Sequence, residues 1–293
     1  MTAAHIADIY FDGRAEAAKK RLQKLKAAGL IAEKSRRVYE RSILSLTRKA
    51  FALLESQGKL SELPRLGKNT FASRADVSEK TLAHELEVMD VKAAFHRTIP
   101  RKEKLSLLEF STWPLLYSFK IAQGYGPDVL VKPDGFIRIH KKDEGTDAYE
   151  CFLEVDRSSK DQGTLIEQVA CYQEYYRSGG FAERNGASRS EFKKFPFRVL
   201  VVLKSVERRN NAAERLVQNS APILTQAWLT NLAEVKANPL GSIWMRPGDY
   251  LKLVEDTPFY TGTHNLNSVY RRKTERDAFV ESKIRKWHLL EAE

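Results

Sequence analysis

Residues 133–156, Pro-Asp-Gly-Phe-Ile-Arg-Ile-His-Lys-Lys-Asp-Glu-Gly-Thr-Asp-Ala-Tyr-Glu-Cys-Phe-Leu-Glu-Val-Asp, hold two alternating runs on either side of a turn-rich segment. Phe136–His140 and Ala148–Leu153 predict antiparallel strands joined by Lys141–Asp147. With the turn centred near residues 144 and 145, Asp134 stands opposite Val155 and diagonal to Glu154 and Asp156. Glu154 and Asp156, two apart on a strand, share one face. Three carboxylates crowded at the end of a half-buried sheet repel one another unless a cation joins them, and an all-oxygen ligand set suits Mg²⁺ or Mn²⁺. Asp134, Glu154 and Asp156 are therefore the candidate metal ligands. Pro-Asp-Gly is also an ordinary turn and strand-end acids commonly face solvent, so the hairpin pairing carries this expectation rather than the tripeptide.

On either side of the hairpin the chain reads as a mixed α/β sheet with helices on both faces. Leu105–Phe110 and Asp128–Lys132 precede it as strands. After it, Ser158 and Ser159 cap a helix to Tyr176 with Leu165, Val169, Tyr172 and Tyr176 on one stripe. Phe197–Leu203 is an apolar strand, Ala212–Val235 a helical stretch interrupted at Pro222, and Ser242–Arg246 an edge strand. Gln168 and Tyr172, four apart, project from one side of their helix. Either they orient the carboxylate site or they are a helix-face pair with Tyr172 in the core. Lys160 is a candidate cation that folds back toward the acids, and Glu109 a candidate further acid on the Leu105–Phe110 strand. Tyr175 and Tyr176 raise the idea of a phosphotyrosine nucleophile. Packing explains them better, because none of the six histidines forms a His-hydrophobic-His metal motif.

The first 58 residues carry twelve Lys or Arg against six Asp or Glu, about half of the whole chain's net charge of +11. Thr2 caps a helix to Tyr10, and a second helix runs from Arg14 to Ala28, stopped by Gly29. Its apolar stripe of Ala15, Ala18, Leu22, Leu25 and Ala28 leaves Lys19, Lys20, Lys24 and Lys26 outside. Leu30–Ala32 and Ser42–Leu46 flank a tip with Lys34, Arg36, Arg37 and Arg41, and a helix follows from Thr47 to Gln57. This is the order of a winged helix, in which the second helix enters the major groove and the wing meets phosphates. Arg14, Lys19, Lys20, Lys24, Lys34, Arg36, Arg37 and Arg41 are the candidate DNA-binding residues. A winged helix normally has one helix more before this pair, so a later helix has to fill that place or the chain is shortened. Residues 59–80 read as a linker. A helix from Thr81 to Phe95 then opens the second domain, with His84 as a packed helical histidine rather than a ligand.

Composition narrows the class. A basic chain with an isoelectric point near 9.5 favours a polyanionic partner, nucleic acid first. No apolar run long enough to span a membrane and no leader-like start occur, which predicts a cytoplasmic protein. Cys151 and Cys171 fit neither a disulfide framework nor a zinc site and are expected to be free, buried thiols. Tyr270–Leu290, with Arg271, Arg272, Lys273, Arg276, Lys283, Arg285 and Lys286, is expected to track DNA, dock a partner or pack.

Asp134, then about twenty residues, then Glu154-Val155-Asp156 resembles the PD-(D/E)xK nuclease core, with Asp156 in place of the usual lysine. Gln168-x-x-x-Tyr172 is similar to the helical motif of the RecB-like branch of those nucleases. Together with "LQKLKAAGLI", "LAHELEVMDVKAAF" and Phe152-Leu153-Glu154-Val155-Asp156-Arg157, the chain over residues 2–205 resembles the replication-relaxation family, related to the MOBC plasmid relaxases, in which an acid at the Asp156 position is usual. The resemblance implies a winged helix at 1–58, a linker at 59–80, a restriction-endonuclease-like domain at 81–250 and a basic extension at 251–293. It further implies metal-dependent nicking of double-stranded DNA at the transfer origin of a plasmid or mobile element, in conjugation, with an accessory mobilisation protein as a further partner. In it Asp134, Glu154, Asp156, Gln168, Tyr172 and Lys160 would serve catalysis. The competing implications are a sequence-specific DNA-binding protein of replication or transcription with a nuclease-like scaffold, and a defence-type nuclease.

Overall fold

The computed structural model describes residues 1–34, 41–61, 77–112, 117–122, 127–142, 148–156, 162–257, 266, 269–270 and 272–290. The chain forms two compact units, one from Met1–Glu103 and the other from Lys104–Thr112 and Leu116–Glu293.

In the first unit, α1 (Ala3–Tyr10) starts at Thr2, whose hydroxyl accepts the His5 N–H at 3.2 Å while His5 Nδ1 accepts the Thr2 N–H at 3.3 Å. This reciprocal cap satisfies two orphan donors at once. Asp12 and Gly13, both at positive φ, turn the chain into α2 (Ala15–Ala27), which buries Ala18 and Leu22. A hairpin follows, β1 (Ile31–Glu33) antiparallel to β2 (Leu44–Leu46), with Ile31 opposite Leu46. Thr47 then caps α3 (Arg48–Ser56) by accepting the Ala50 N–H, an interaction worth about 1 kcal/mol. Element order and capping agree with the sequence reading. The next helix, α4 (Glu79–Thr98), begins at Ser78 and packs on α1, which also packs on α2. His5 Nε2 lies 2.7 Å from Asp90 Oδ1, and Arg97 donates to Asp8 at 2.9 Å, so polar contacts join α1 to α4 as well. This helix therefore belongs to the first unit, where the sequence reading opened the second domain at residue 81. Periodicity identifies a helix without saying which neighbour its apolar face seeks. Arg36, Arg37 and the other residues of 35–40 lie outside the described residues, as does most of the expected linker.

The second unit is a mixed α/β layer structure. Its elements run β3 (Leu105–Ser111), β4 (Phe119–Ile121), β5 (Val129–Val131), β6 (Gly135–Lys141), β7 (Ala148–Asp156), α5 (Gln162–Arg177), α6 (Gly180–Arg184), β8 (Arg198–Leu203), α7 (Val206–Gln218), β9 (Ala227–Asn231), α8 (Leu232–Ala237), β10 (Ser242–Trp244), α9 (Pro247–Glu255), α10 (Lys273–Lys283) and β11 (Trp287–His288). The main sheet has the order β3-β6-β7-β8-β9: the first three strands pair antiparallel and β8 and β9 continue in parallel. Parallel neighbours need crossovers, and α5 and α7 are those crossovers. Leu165, Val169 and Tyr172 of α5 and Ala212, Ala213 and Leu216 of α7 pack on Phe152, Val199 and Val201, all buried. Tyr175 stacks on Phe119 with ring centroids 4.0 Å apart, and Tyr176 meets Phe192 edge-on, so both tyrosines are held by packing, as expected.

Residues 212–235 differ from the expected helix. The helix α7 stops at Gln218, and Ala227–Asn231 forms the edge strand β9. All five of its residues are buried, so no alternation marks them, and a short apolar run reads alike for a helix and a covered strand. Cys151 is buried and Cys171 half-buried, both free.

Candidate functional site

The pairing that places the acids ends at Gly135. Its last β6–β7 partner is Leu153, and a Cβ built at Gly135 would lie 3.2 Å from the Ser111 carbonyl oxygen and 3.3 Å from the Phe110 ring. A side chain here would require β3 and β6 to give by a few tenths of an ångström. The register is one residue off the expected one, which moves Asp134 from opposite Val155 to beside Glu154. A slip of one exchanges faces along a strand, so Asp134, Phe136, Phe152 and Glu154 share the side covered by α5. The Asp134 N–H donates to the Leu153 carbonyl at 3.0 Å, and its Oδ2 accepts the Val155 N–H at 2.8 Å.

Glu154 is 3% exposed, and Gln168 Nε2 donates to its Oε1 at 2.7 Å. The Tyr172 hydroxyl donates to the same oxygen. Residues four apart on α5 thus close on one carboxylate oxygen. Tyr172 is fully buried, 5.2 Å from the Phe152 ring and 5.3 Å from the Phe119 ring. Tyr172 is thus a core aromatic whose hydroxyl bonds Glu154. Burial first, then the charge of Glu154 and more weakly that of Asp134, push its phenol well above the usual range, which keeps the hydroxyl a donor.

Asp156 is 6% exposed and follows a different course. Its Oδ2 accepts Nε–H of Arg208, whose side chain is 17% exposed. The sequence reading overlooked Arg208. The only local signal was Ser205, which caps α7 directly after β8 by accepting the Arg208 N–H at 3.2 Å, so the helix begins at the carboxyl end of the sheet where Asp156 also lies. Lys160 lies outside the described residues. Glu109 is on β3 opposite Arg138, which itself faces Glu150, so it sits in a row four residues along β7 from Glu154 and does not join the site.

Among the described residues no three His, Cys, Asp or Glu side chains come together as a metal ligand set. The expected triad departs from such a set because Arg208 takes Asp156 into an ion pair. Asp134 and Glu154 remain adjacent, and Glu154 carries the outer donors that usually orient a metal-bound carboxylate. One or two carboxylates fit Mg²⁺, which keeps several waters and gains further ligands from phosphate.

On the first unit, Arg14, Lys19, Lys20, Lys24, Lys34 and Arg41 are all exposed. Arg41 is also bound to Asp90 at 2.9 Å, and Arg14 to Asp12 at 3.2 Å. In the C-terminal stretch Arg272, Lys273 and Lys283 are exposed, while other basic side chains pack or pair. Arg276 is fully buried and donates to Asp277 at 2.8 Å, while Lys286 bonds Glu234 at 2.6 Å and Glu281 at 2.9 Å. Arg285 covers the Trp287 ring at 3.4 Å. No described helix is long and apolar enough to cross a membrane.

A family model described as replication-relaxation matches residues 1–189. No curated protein and no solved structure matches the chain.

Proposed function

The chain belongs to the replication-relaxation family, and on that premise we propose that it nicks double-stranded DNA at the transfer origin of a plasmid or mobile element. The observation that carries this reading is the convergence of Gln168 and Tyr172 on one oxygen of Glu154, beside Asp134. A metal ligand or general base must be held in one orientation, and two donors closing on one oxygen of Glu154 do that. In this reading the first unit acts as a winged helix that grips DNA through α2 and the hairpin, and the second as a PD-(D/E)xK-type nuclease working in the cytoplasm with an accessory mobilisation protein.

Asp134 and Glu154 would hold Mg²⁺ or Mn²⁺, which when bound lowers the pKa of a water and offsets charge on the phosphate under attack. The protein's own part is orientation. Gln168 and Tyr172 fix Glu154, the Val155 N–H fixes Asp134, and Asp156 anchors Arg208 at the same sheet end, where a guanidinium supplies the positive charge that the missing motif lysine would bring.

The test is supercoiled origin-bearing DNA incubated with Mg²⁺ or Mn²⁺ and the parent protein, Glu154→Gln or Asp134→Asn. Nicked product from the parent alone supports the enzyme. The Asp156–Arg208 ion pair and the two-carboxylate rather than three-carboxylate set favour a second reading, a sequence-specific DNA-binding protein with a nuclease-like scaffold. That reading predicts binding by all three proteins and nicking by none.

A further inference from the structure

The outer face of α2 carries one uncharged polar group among its cations. Ala18 and Leu22 are buried, and the residues turned away from them, Glu16, Lys20, Gln23 and Ala27, are all exposed. Spacings of four, three and four make these a single stripe along the helix. Lys19, Arg21, Lys24 and Lys26 are exposed as well, so α2 sets five cations against one acid. That balance complements a phosphate backbone, whose contacts fix position and carry no sequence information.

Gln23 differs in kind from its neighbours. No described residue takes up its carboxamide. An ammonium offers donors only and a carboxylate acceptors only, whereas a carboxamide holds one of each side by side. In the major groove adenine presents N7 as an acceptor beside its N6 amino donor, and glutamine can pair with both at once. The surroundings leave room for that approach. Ala27, one turn further along, is too short to hold a base away, and Lys26 is bound to Glu33 of β1 on the flank of the helix. Glu16 shares the stripe but stands in the first turn, where its charge suits the helix dipole.

We infer that Gln23 reads an adenine in the major groove of duplex DNA, while Lys19, Lys20 and Lys24 hold the phosphates around it. This rests on the reading of the first unit as a winged helix that grips DNA, and it names the base edge which that grip recognises. It does not depend on nicking at Asp134 and Glu154.

The test is selection of duplexes from a randomised library by the full chain, followed by fluorescence anisotropy on the selected duplex and on one of mixed sequence. The parent should select adenine at a fixed position. Gln23→Ala should lose that selection and lower the ratio of the two affinities about tenfold or more, the discrimination that one bidentate base contact supplies. Gln23→Arg should select guanine there instead, because a guanidinium donates to guanine O6 and N7. Lys20→Ala should weaken both duplexes alike and keep the ratio. The position is exposed, so neither change at Gln23 threatens the fold. An adenine preference that Gln23→Ala retains, or parent binding with no preferred base, overturns the inference alone. A parent that binds no duplex overturns it together with the winged-helix reading.

Discussion

The Nε–H of Arg208 is donated to Oδ2 of Asp156, which joins the first turn of α7 to the end of β7 across 52 residues of sequence. With the two side chains 17% and 3% exposed, this is a largely buried ion pair. Its worth therefore shows most clearly when one partner is removed, since the other is left charged in a poor solvent. Arg208→Ala is expected to cost about 3–5 kcal/mol in urea denaturation. Adding Asp156→Asn should restore part of that loss. A single variant as stable as the parent would mean the pair is solvated and idle.

Tyr172→Phe keeps the ring and removes one of the two donors to Glu154. The expected stability loss is about 1–2 kcal/mol. In the nicking reading, activity should fall about 10–100-fold while DNA affinity stays, because an outer donor has been lost rather than a DNA contact. Equal losses of activity and affinity would refute the orienting role.

The α2 lysines and the C-terminal arginines should separate cleanly. Lys20→Ala or Lys24→Ala is expected to weaken DNA binding irrespective of sequence and to reduce the slope of log K against log salt by about one, as read by fluorescence anisotropy. Arg276→Ala should leave that slope alone and lower stability, since the side chain is buried with Asp277 and Glu214.

Acid should loosen the first unit through His96. Burial, and then the Lys92 charge, lower its imidazole from 6.5 to about 4. The unfolded chain takes up the proton that the folded chain refuses, so the contribution is whole above about 6.5 and is lost as pH falls toward about 4. The urea midpoint should drop across that window, and His96→Leu should flatten the drop. An unchanged slope in that variant would assign the acid sensitivity to other groups.

The hairpin, the cap of α1 and the Gln168–Tyr172 helix face were legible because each is local: a period of two, a Thr before an apolar run, a spacing of four. The register of the hairpin was not, because the turn-rich segment between the strands leaves the pairing open by one residue. Nor were the place of α4, whose apolar face chose α1, or the strand β9, whose full burial erases alternation. Arg208 was hidden for another reason. Its partner is 52 residues earlier, and nothing around it distinguishes it from Arg209, which turns instead to Glu281 and Asn210.

The parallel pairing of β7 with β8 sets a limit on any shortened version of this protein. The family match ends at residue 189, nine residues before β8 begins, and Arg208 lies farther still. A fragment cut there would carry Glu154 and Asp156 on a raw outer strand with bare backbone donors and acceptors, open to sticking to its own copies. The sheltering of the two acids therefore depends on chain beyond residue 189.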